Sequence, residues 1–300
     1  MTRPVVLLGA AGQLGREVCD LAERLGRKMV GCTRAQVDIT DRAAVAELIV
    51  RTKPRLLVNA AAYTAVDKAE SDPDGALAAN AIGPQVLATA AANAGVPIVH
   101  VSTDYVFDGA KAGAYVEDDP IAPIGVYGRS KAEGEAHVRA AAARHVIVRT
   151  AWVYGVHGTN FLKTMLRLAH EREELRVVAD QRGCPTATRD LAEAIFAIDR
   201  RIAEGAKPWG TFHFAGTGAT TWHGFACEIV DAAAPFIGKR PQVTAIGARD
   251  YPTAARRPAN SELDSSRFTA MFGYRAVPWQ ARTQEVVRQL LQTPLTRESS

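Results

Sequence analysis

The feature that most constrains this sequence is a repeated alternation between short unbroken apolar runs and longer amphipathic, alanine-rich stretches. The apolar runs fall at 4–10 (PVVLLGA), 28–32 (KMVGC), 55–61 (RLLVNAA), 97–103 (PIVHVST), 145–153 (HVIVRTAWV), 175–179 (LRVVA) and 210–215 (GTFHFA). Helical patterns lie between them, near 13–25, 41–51, 80–94, 126–143, 159–173 and 188–203. A strand that is apolar at every position, rather than at every second one, has no face to give to water and needs cover on both sides. Crossover helices between successive strands supply that cover and make the strands parallel. The pattern therefore predicts an α/β fold built on a doubly wound parallel sheet, with ligands beyond the carboxyl ends of its strands.

Directly after the first run comes Gly9-Ala10-Ala11-Gly12-Gln13-Leu14-Gly15. Glycines in such a turn remove side chains where backbone amides must approach a pyrophosphate, and the helix that follows offers its positive N-terminal end. Glycine triplets are common, but one placed between a strand and a helix points to a dinucleotide and makes the fold Rossmann-like. The second run ends Cys32-Thr33-Arg34, with no acid to grip the ribose 2′-hydroxyl of NAD. Arg34 suits a 2′-phosphate, so NADPH is the expected cofactor, with NADH left open. Asp38 could accept from the adenine amino group with Ile39 flanking the ring; it could equally be a loop residue before a helix capped by Thr40. Asn59-Ala60-Ala61-Ala62 closes the third run with residues small enough for a cofactor to lie along the sheet edge, or simply for a helix to pack closely.

Tyr127-Gly128-Arg129-Ser130-Lys131 puts a tyrosine and a lysine four residues apart, on one face of a helix. A free phenol, with a pKa of roughly 10, exchanges protons poorly near neutrality. A neighbouring ammonium favours the phenolate and is expected to lower that value. Tyr127 could then give a proton to a carbonyl oxygen as hydride reaches carbon, while Lys131 holds the nicotinamide ribose. The spacing alone is common by chance. It gains weight here from the glycine turn and from the fourth run, which ends His100-Val101-Ser102-Thr103. A hydroxyl at that strand end could polarise the same carbonyl, and strand alternation lets only one of the two face it; Thr103 is the expected one.

At about 150 residues per domain, 300 residues suit two domains or one large one. From about 217 the alternation weakens, Pro and Arg cluster at Tyr251-Pro252 and Arg256-Arg257-Pro258, and 280–292 reads as a last amphipathic helix. The expected division is a dinucleotide-binding domain over 1–154, with 175–216 returning to it, and a smaller C-terminal α/β substrate domain from 155–174 and 217–300. Residues 296–300 are expected to fray. A hydrophobic share of 47% and a charged share of 23% suit a globular protein rather than a disordered one. The net charge of +4 is too small and too scattered to suggest nucleic acid as a partner. No apolar run approaches the roughly 18 residues of a membrane span. The first residues lead straight into a strand, so no secretory leader is expected. The four cysteines (Cys19, Cys32, Cys184, Cys227) show no CxxC spacing, which disfavours a disulfide framework or zinc site and fits a reducing cytoplasm.

Several longer stretches narrow the reading. Gly12-Gln13-Leu14-Gly15, the run AAYTAVDKAE (61–70, preceded by Asn59-Ala60), the run STDYVFDG (102–109), Arg149-Thr150-Ala151-Trp152-Val153-Tyr154-Gly155, Asn160-Phe161, Asp180-Gln181 with Pro185-Thr186, and Arg257-Pro258-Ala259-Asn260-Ser261 together resemble the dTDP-4-dehydrorhamnose reductase family of the extended short-chain dehydrogenase/reductases. The resemblance runs from about residue 5 to about 290. It implies NAD(P)H-dependent reduction of the C4 keto group of dTDP-4-dehydro-L-rhamnose to dTDP-L-rhamnose, for surface polysaccharide. It also implies Tyr127 as proton donor, Lys131 as its partner and Thr103 in support. Asp104, Trp152 and Asn260 would face the sugar nucleotide, and Gly9, Gly12 to Gly15, Asp38, Ile39, Ala60 and Ala62-Tyr63-Thr64 would line the cofactor. Arg257, with Arg256, could meet the diphosphate.

The resemblance further implies a magnesium-bridged homodimer in some members, held by acids near the glycine turn and after the Pro-Thr motif. Glu17 matches the first place, but Arg189 stands beside Asp190 at the second. A cation there would meet repulsion, so no metal site is expected and a homodimer is left open. The histidines show no HExxH or paired spacing. Two other readings stay open: an epimerase or dehydratase of the same superfamily, and a non-catalytic NADP-binding subunit resembling the regulatory subunit of methionine adenosyltransferase.

Overall fold

The computed structural model describes residues 3–292. The expected fraying of 296–300 concerns residues outside that range. The chain opens with β1 (Val5–Leu8), α1 (Gln13–Arg24), β2 (Met29–Cys32), α2 (Arg42–Thr52) and β3 (Leu56–Asn59). Two short helices follow, α3 (Val66–Ala69) and α4 (Pro73–Leu77). A π-helical turn at Ala78–Ile82 then leads into α5 (Gly83–Asn93), β4 (Ile98–Thr103), α6 (Val126–Ala141) and β5 (His145–Thr150). The remainder runs β6 (Val153–Tyr154), α7 (Phe161–Glu171), β7 (Glu174–Val178), β8 (Arg182–Gly183), β9 (Thr186–Ala187), α8 (Thr188–Ala203), β10 (Gly210–His213), β11 (Thr220–Thr221), α9 (Trp222–Ile237), β12 (Gln242–Ile246), β13 (Asn260–Ser261), α10 (Ser266–Phe272) and α11 (Trp279–Gln292).

Six strands form one sheet in the order β10-β5-β4-β3-β1-β2, and every pairing in it is parallel. The continuous apolar runs are divided by the two-residue strand period. Val5 and Leu7 join Val58, Val99 and Val146 in a core under α1 and α8. Val6 and Leu8 join Leu57, Ile98 and Ile147 in a second core under α2 and α5. The strand order turns back between β1 and β3, because β2 lies on one side of β1 and every later strand on the other. That reversal leaves a crevice at the carboxyl edge.

A third core gathers α7, β7, α9 and α11 around Leu162, Leu175, Phe225, Ile229 and Val287. Here the structure moves the expected boundary at 175. β7 pairs in parallel with β12, away from the main sheet, because Leu175 and Val177 find their apolar partners on α7 and α9. The chain re-enters the first unit only at α8. The tail is also divided: Phe268 and Phe272 of α10 pack on Phe212 and Phe214, in the core of the main sheet.

Candidate active site

The glycine turn is fixed by crowding. Gly9 has φ +85°, and a Cβ there would lie 2.6 Å from the Ala61 nitrogen at the end of β3. A Cβ on Gly15 would lie 2.1 Å from the Gly9 carbonyl oxygen. The turn can therefore press against the switch point only without side chains. Gly12 caps α1 and offers no side-chain acceptor, so no side chain satisfies the first-turn amides. This cradle, closed to any Cβ and lined with open amides, fits a pyrophosphate. Gln13 reaches across the crevice to the Val153 carbonyl, at 3.4 Å.

At the end of β2, Arg34 is almost fully exposed and its Nε lies 3.6 Å from Asp38. Asp38 accepts from the Thr40 amide and hydroxyl, and these bonds hold its carboxyl below the usual value. The cap of α2 is Asp41, which accepts from the amides of Ala43 and Ala44, and not Thr40. Ile39 is buried in the core, where Gly83 leaves room for its tip, so its side chain packs inward and not along the crevice. Ala60 is half-buried, Ala62 and Thr64 are exposed, and the backbone of Tyr63 is held by the Asn80 side chain, whose oxygen accepts from the Tyr63 amide and whose NH2 donates to the Tyr63 carbonyl.

Tyr127, Lys131 and Thr103 come together. Tyr127 and Lys131 lie on the buried face of α6, and Thr103 ends β4 beneath them. The Thr103 hydroxyl donates to Asp104 Oδ1 at 3.0 Å, accepts from the Tyr105 amide, and lies near enough to the Tyr127 phenol to favour its ionised form. Ser102 is turned away from this group, toward Glu135, as strand alternation requires.

The expected lowering of the phenol is reversed. Burial raises the pKa of Tyr127, the neighbouring Thr103 hydroxyl only partly opposes the rise, and the negative charge of Asp104 adds to it. Lys131, one turn further along α6, donates its ammonium to the Val101 carbonyl at 2.7 Å. Burial in turn lowers Lys131 to about 8, against the opposing pull of Glu135. Asp104 is buried with its Oδ2 unpartnered, and desolvation raises it to about 6. The group thus holds a protonated phenol, a carboxylate poised below neutrality and an ammonium within reach of deprotonation.

The flanks of this group are more varied. Trp152 follows β5 with φ +49°, a strained conformation for a side-chain-bearing residue. Its ring stacks on Trp222 of α9 with centroids 3.6 Å apart, and Gly183 admits it, since a Cβ there would lie 2.4 Å from the indole. Arg257 donates to the Tyr105 hydroxyl and to Asp67, so its guanidinium is tied down beside the site. Arg256 is exposed and makes no ion pair among the described residues. Asn260, expected to face the sugar nucleotide, does not. Both its amide hydrogens bond the Lys111 and Gly113 carbonyls and its oxygen accepts from the Glu262 amide, so it braces the 111–113 loop.

Glu17 accepts from Thr188 and Arg24, Arg189 pairs with Glu193, and Asp190 is bound by Arg282 and Tyr274. Each of these acids already has an internal partner.

Four contributors went unnoticed in the sequence. Glu70 accepts from the Val126 amide and caps α6 from outside. Asp67 anchors Arg257 and the Ala255 amide. Asn80, on the π-helical turn, ties Tyr63 to Ser130. Glu135 sits eight residues after Tyr127, and that 127-131-135 spacing was the available signal.

A parallel sheet with a glycine turn at its switch point, and a Tyr-Lys helix beside a threonine-terminated strand, define the extended short-chain dehydrogenase/reductase class. The family model described as RmlD substrate binding domain matches residues 2–292. A curated dTDP-4-dehydrorhamnose reductase from Sinorhizobium fredii is 48% identical over 260 residues, covering 86% of this chain and 88% of that protein. A crystal structure of a dTDP-4-dehydrorhamnose reductase from Clostridium acetobutylicum is 39% identical, with a TM-score of 0.89 over 97% of this chain and 100% of that one. The corresponding Bacillus anthracis structure, in complex with NADP, is 33% identical with a TM-score of 0.87, covering 96% and 100%. The chain belongs to the dTDP-4-dehydrorhamnose reductase family. Among the described residues, no helix is long and apolar enough to cross a membrane.

Proposed function

We propose that this protein reduces the C4 keto group of dTDP-4-dehydro-L-rhamnose to the alcohol of dTDP-L-rhamnose, with NADPH as reductant and NADH as a weaker substitute. Family membership supports the substrate and cofactor. The observation that carries the mechanism is the Tyr127 phenol, kept protonated by burial, next to the Thr103 hydroxyl and Asp104.

NADPH, when bound, supplies the hydride. The turn Gly9–Gly15 would hold its pyrophosphate on the α1 amides, Arg34 its 2′-phosphate and Asp38 its adenine edge, with the backbone at Ala60 and Ala62 to Thr64 along the sheet edge. Tyr127 gives its phenolic proton to the C4 oxygen, a role suited to a group that is neutral at physiological pH. Thr103, fixed by the Tyr105 amide, orients the same oxygen. Lys131 places a positive charge behind the phenol and stabilises the tyrosinate left after transfer. Asp104 offers Oδ2 to a sugar hydroxyl, and the exposed edge of Trp152 faces the sugar. Arg256, free of an ion pair, meets the diphosphate, while Arg257 holds Tyr105 edge-on to Tyr127 at 5.3 Å. A homodimer and a cytoplasmic setting complete this reading.

The test is NADPH oxidation followed by absorbance, with dTDP-4-dehydro-L-rhamnose beside UDP- and GDP-linked keto sugars. Stoichiometric oxidation with the dTDP sugar is expected. Tyr127→Phe should lower kcat by about 10²–10⁴-fold while NADPH still binds. Wild-type turnover in that variant would refute the assignment of the proton donor.

A further inference from the structure

Three successive residues of β4 are gripped by three residues of α6 spaced one turn apart. The Val101 carbonyl takes the Lys131 ammonium at 2.7 Å, the Ser102 hydroxyl donates to Glu135 at 2.6 Å, and Thr103 meets Tyr127. Two of these pairs belong to the mechanism above; the third does not.

Glu135 has no exposed surface. It forms a two-pronged pair with Arg149 of β5, at 2.9 and 2.8 Å, and accepts from Arg139 on the next turn at 3.1 Å. Arg149 is buried as well, over the face of Phe107. A buried pair of this kind is weak evidence for stability, since well-packed apolar residues serve as well or better. Its position calls for another explanation.

Lys131 is 2% exposed, and its hydrogen bond goes to a neutral carbonyl. An ammonium so placed tends to lose its proton unless a negative charge stands nearby. The groups around it can be named element by element. α6 itself supplies Tyr127, Glu135 and Arg139. β4 supplies His100, whose burial keeps it neutral, and Asp104 and Tyr105 follow its end. β5 supplies Arg149 and, at its far end, His145. α5 and the π-helical turn bring no charged side chain, only Asn80. α3 and α4 bring Asp67, Lys68 and Asp74 near the surface, with Asp72 at the cap of α4. On the buried side of Lys131, Glu135 is the carboxylate one turn along the same helix face, bound to Arg149, Arg139 and Ser102, the last of these adjacent in β4 to the residue that holds Lys131.

We propose that Glu135 is a positioning residue for Lys131: a buried carboxylate, fixed by Arg149 and Ser102, that keeps the lysine charged in a site closed to water. Arg149 and the Ser102 and Arg139 hydrogen bonds outweigh the burial of Glu135 and keep it ionised. The carboxylate thereby acts on the proton relay through Lys131 without touching substrate. This role rests on the reading of Tyr127 and Lys131 given above.

The test uses the cofactor-free full chain, with NMR titration of the lysine side-chain 13Cε signals. Lys131 is assigned by the signal lost in Lys131→Met. In the wild type its midpoint is expected near 8. Glu135→Gln should lower the midpoint by about one pH unit, and the alkaline limb of kcat/KM should move with it. Glu135→Asp, which keeps the charge, should restore most of the shift. Should Glu135→Gln alone fail to fold, because it strands Arg149, the double variant Glu135→Gln with Arg149→Met is compared with Arg149→Met alone, and its Lys131 midpoint should lie below that of the single variant. A Lys131 midpoint that stays at the wild-type value in a folded variant overturns the proposal. Loss of reductase activity in the wild type, by contrast, would remove the functional reading and leave the titration result standing.

Discussion

Asp104 carries a measurable conflict between stability and use. Its carboxyl is buried, one oxygen has no partner, and burial raises it from 3.8 to about 6 despite the hydrogen bond from Thr103. A shift of that size corresponds to about 3 kcal/mol at roughly 1.36 kcal/mol per pH unit. The sign follows from linkage. The folded state binds this proton more tightly than the unfolded chain, so the group favours folding at low pH. That advantage is lost as pH rises from about 4 through about 6, and above this the ionised carboxylate weighs against the fold. Asp104→Asn does not titrate and keeps an acceptor for Thr103. It should match the wild type in stability near pH 4 and exceed it by up to about 3 kcal/mol at pH 8, while losing affinity for the sugar nucleotide. Urea unfolding of the cofactor-free protein at both pH values measures this directly. A stabilisation equal at both values, or a variant weaker than wild type at pH 8, would refute the claim that desolvation of this carboxylate opposes folding.

Other expectations follow from the same geometry. Arg34→Ala should raise the KM for NADPH by about tenfold and change that for NADH far less, since the exposed guanidinium at the end of β2 acts chiefly on the 2′-phosphate. Gly15→Ala forces a methyl group to within 2.1 Å of the Gly9 carbonyl; thermal melting should show a loss of about 1–3 kcal/mol, and cofactor titration a weakened turn. Trp222→Leu removes the face on which Trp152 stacks. KM for the sugar nucleotide should rise several-fold with NADPH affinity intact, and the paired-indole signal in near-ultraviolet circular dichroism should disappear.

Much of this molecule can be read directly from the order of its residues. Unbroken apolar strands force burial on both faces, and that requirement produced the parallel sheet of β1–β5 and β10. The glycine turn was legible because backbone crowding there excludes every other residue. Tyr127, Lys131 and Thr103 were legible because helix and strand periods assign faces from spacing alone. The helix α9 was harder to see: Gly224 and Pro235 look like breaks, yet Thr221 caps it and Phe225, Ile229 and Ala233 mark one buried stripe.

What the sequence by itself determined, then, is local and periodic: where strands and helices form, which face each residue takes, and where no side chain fits. Only the tertiary structure decided the state of the groups so placed. Burial raises Tyr127 instead of lowering it, the Val101 carbonyl claims Lys131, Asn260 is used up as a brace, and β7 leaves the main sheet for β12. Each outcome depends on desolvation or on a partner distant in the chain, and both are properties of packed surroundings that residue spacing does not encode.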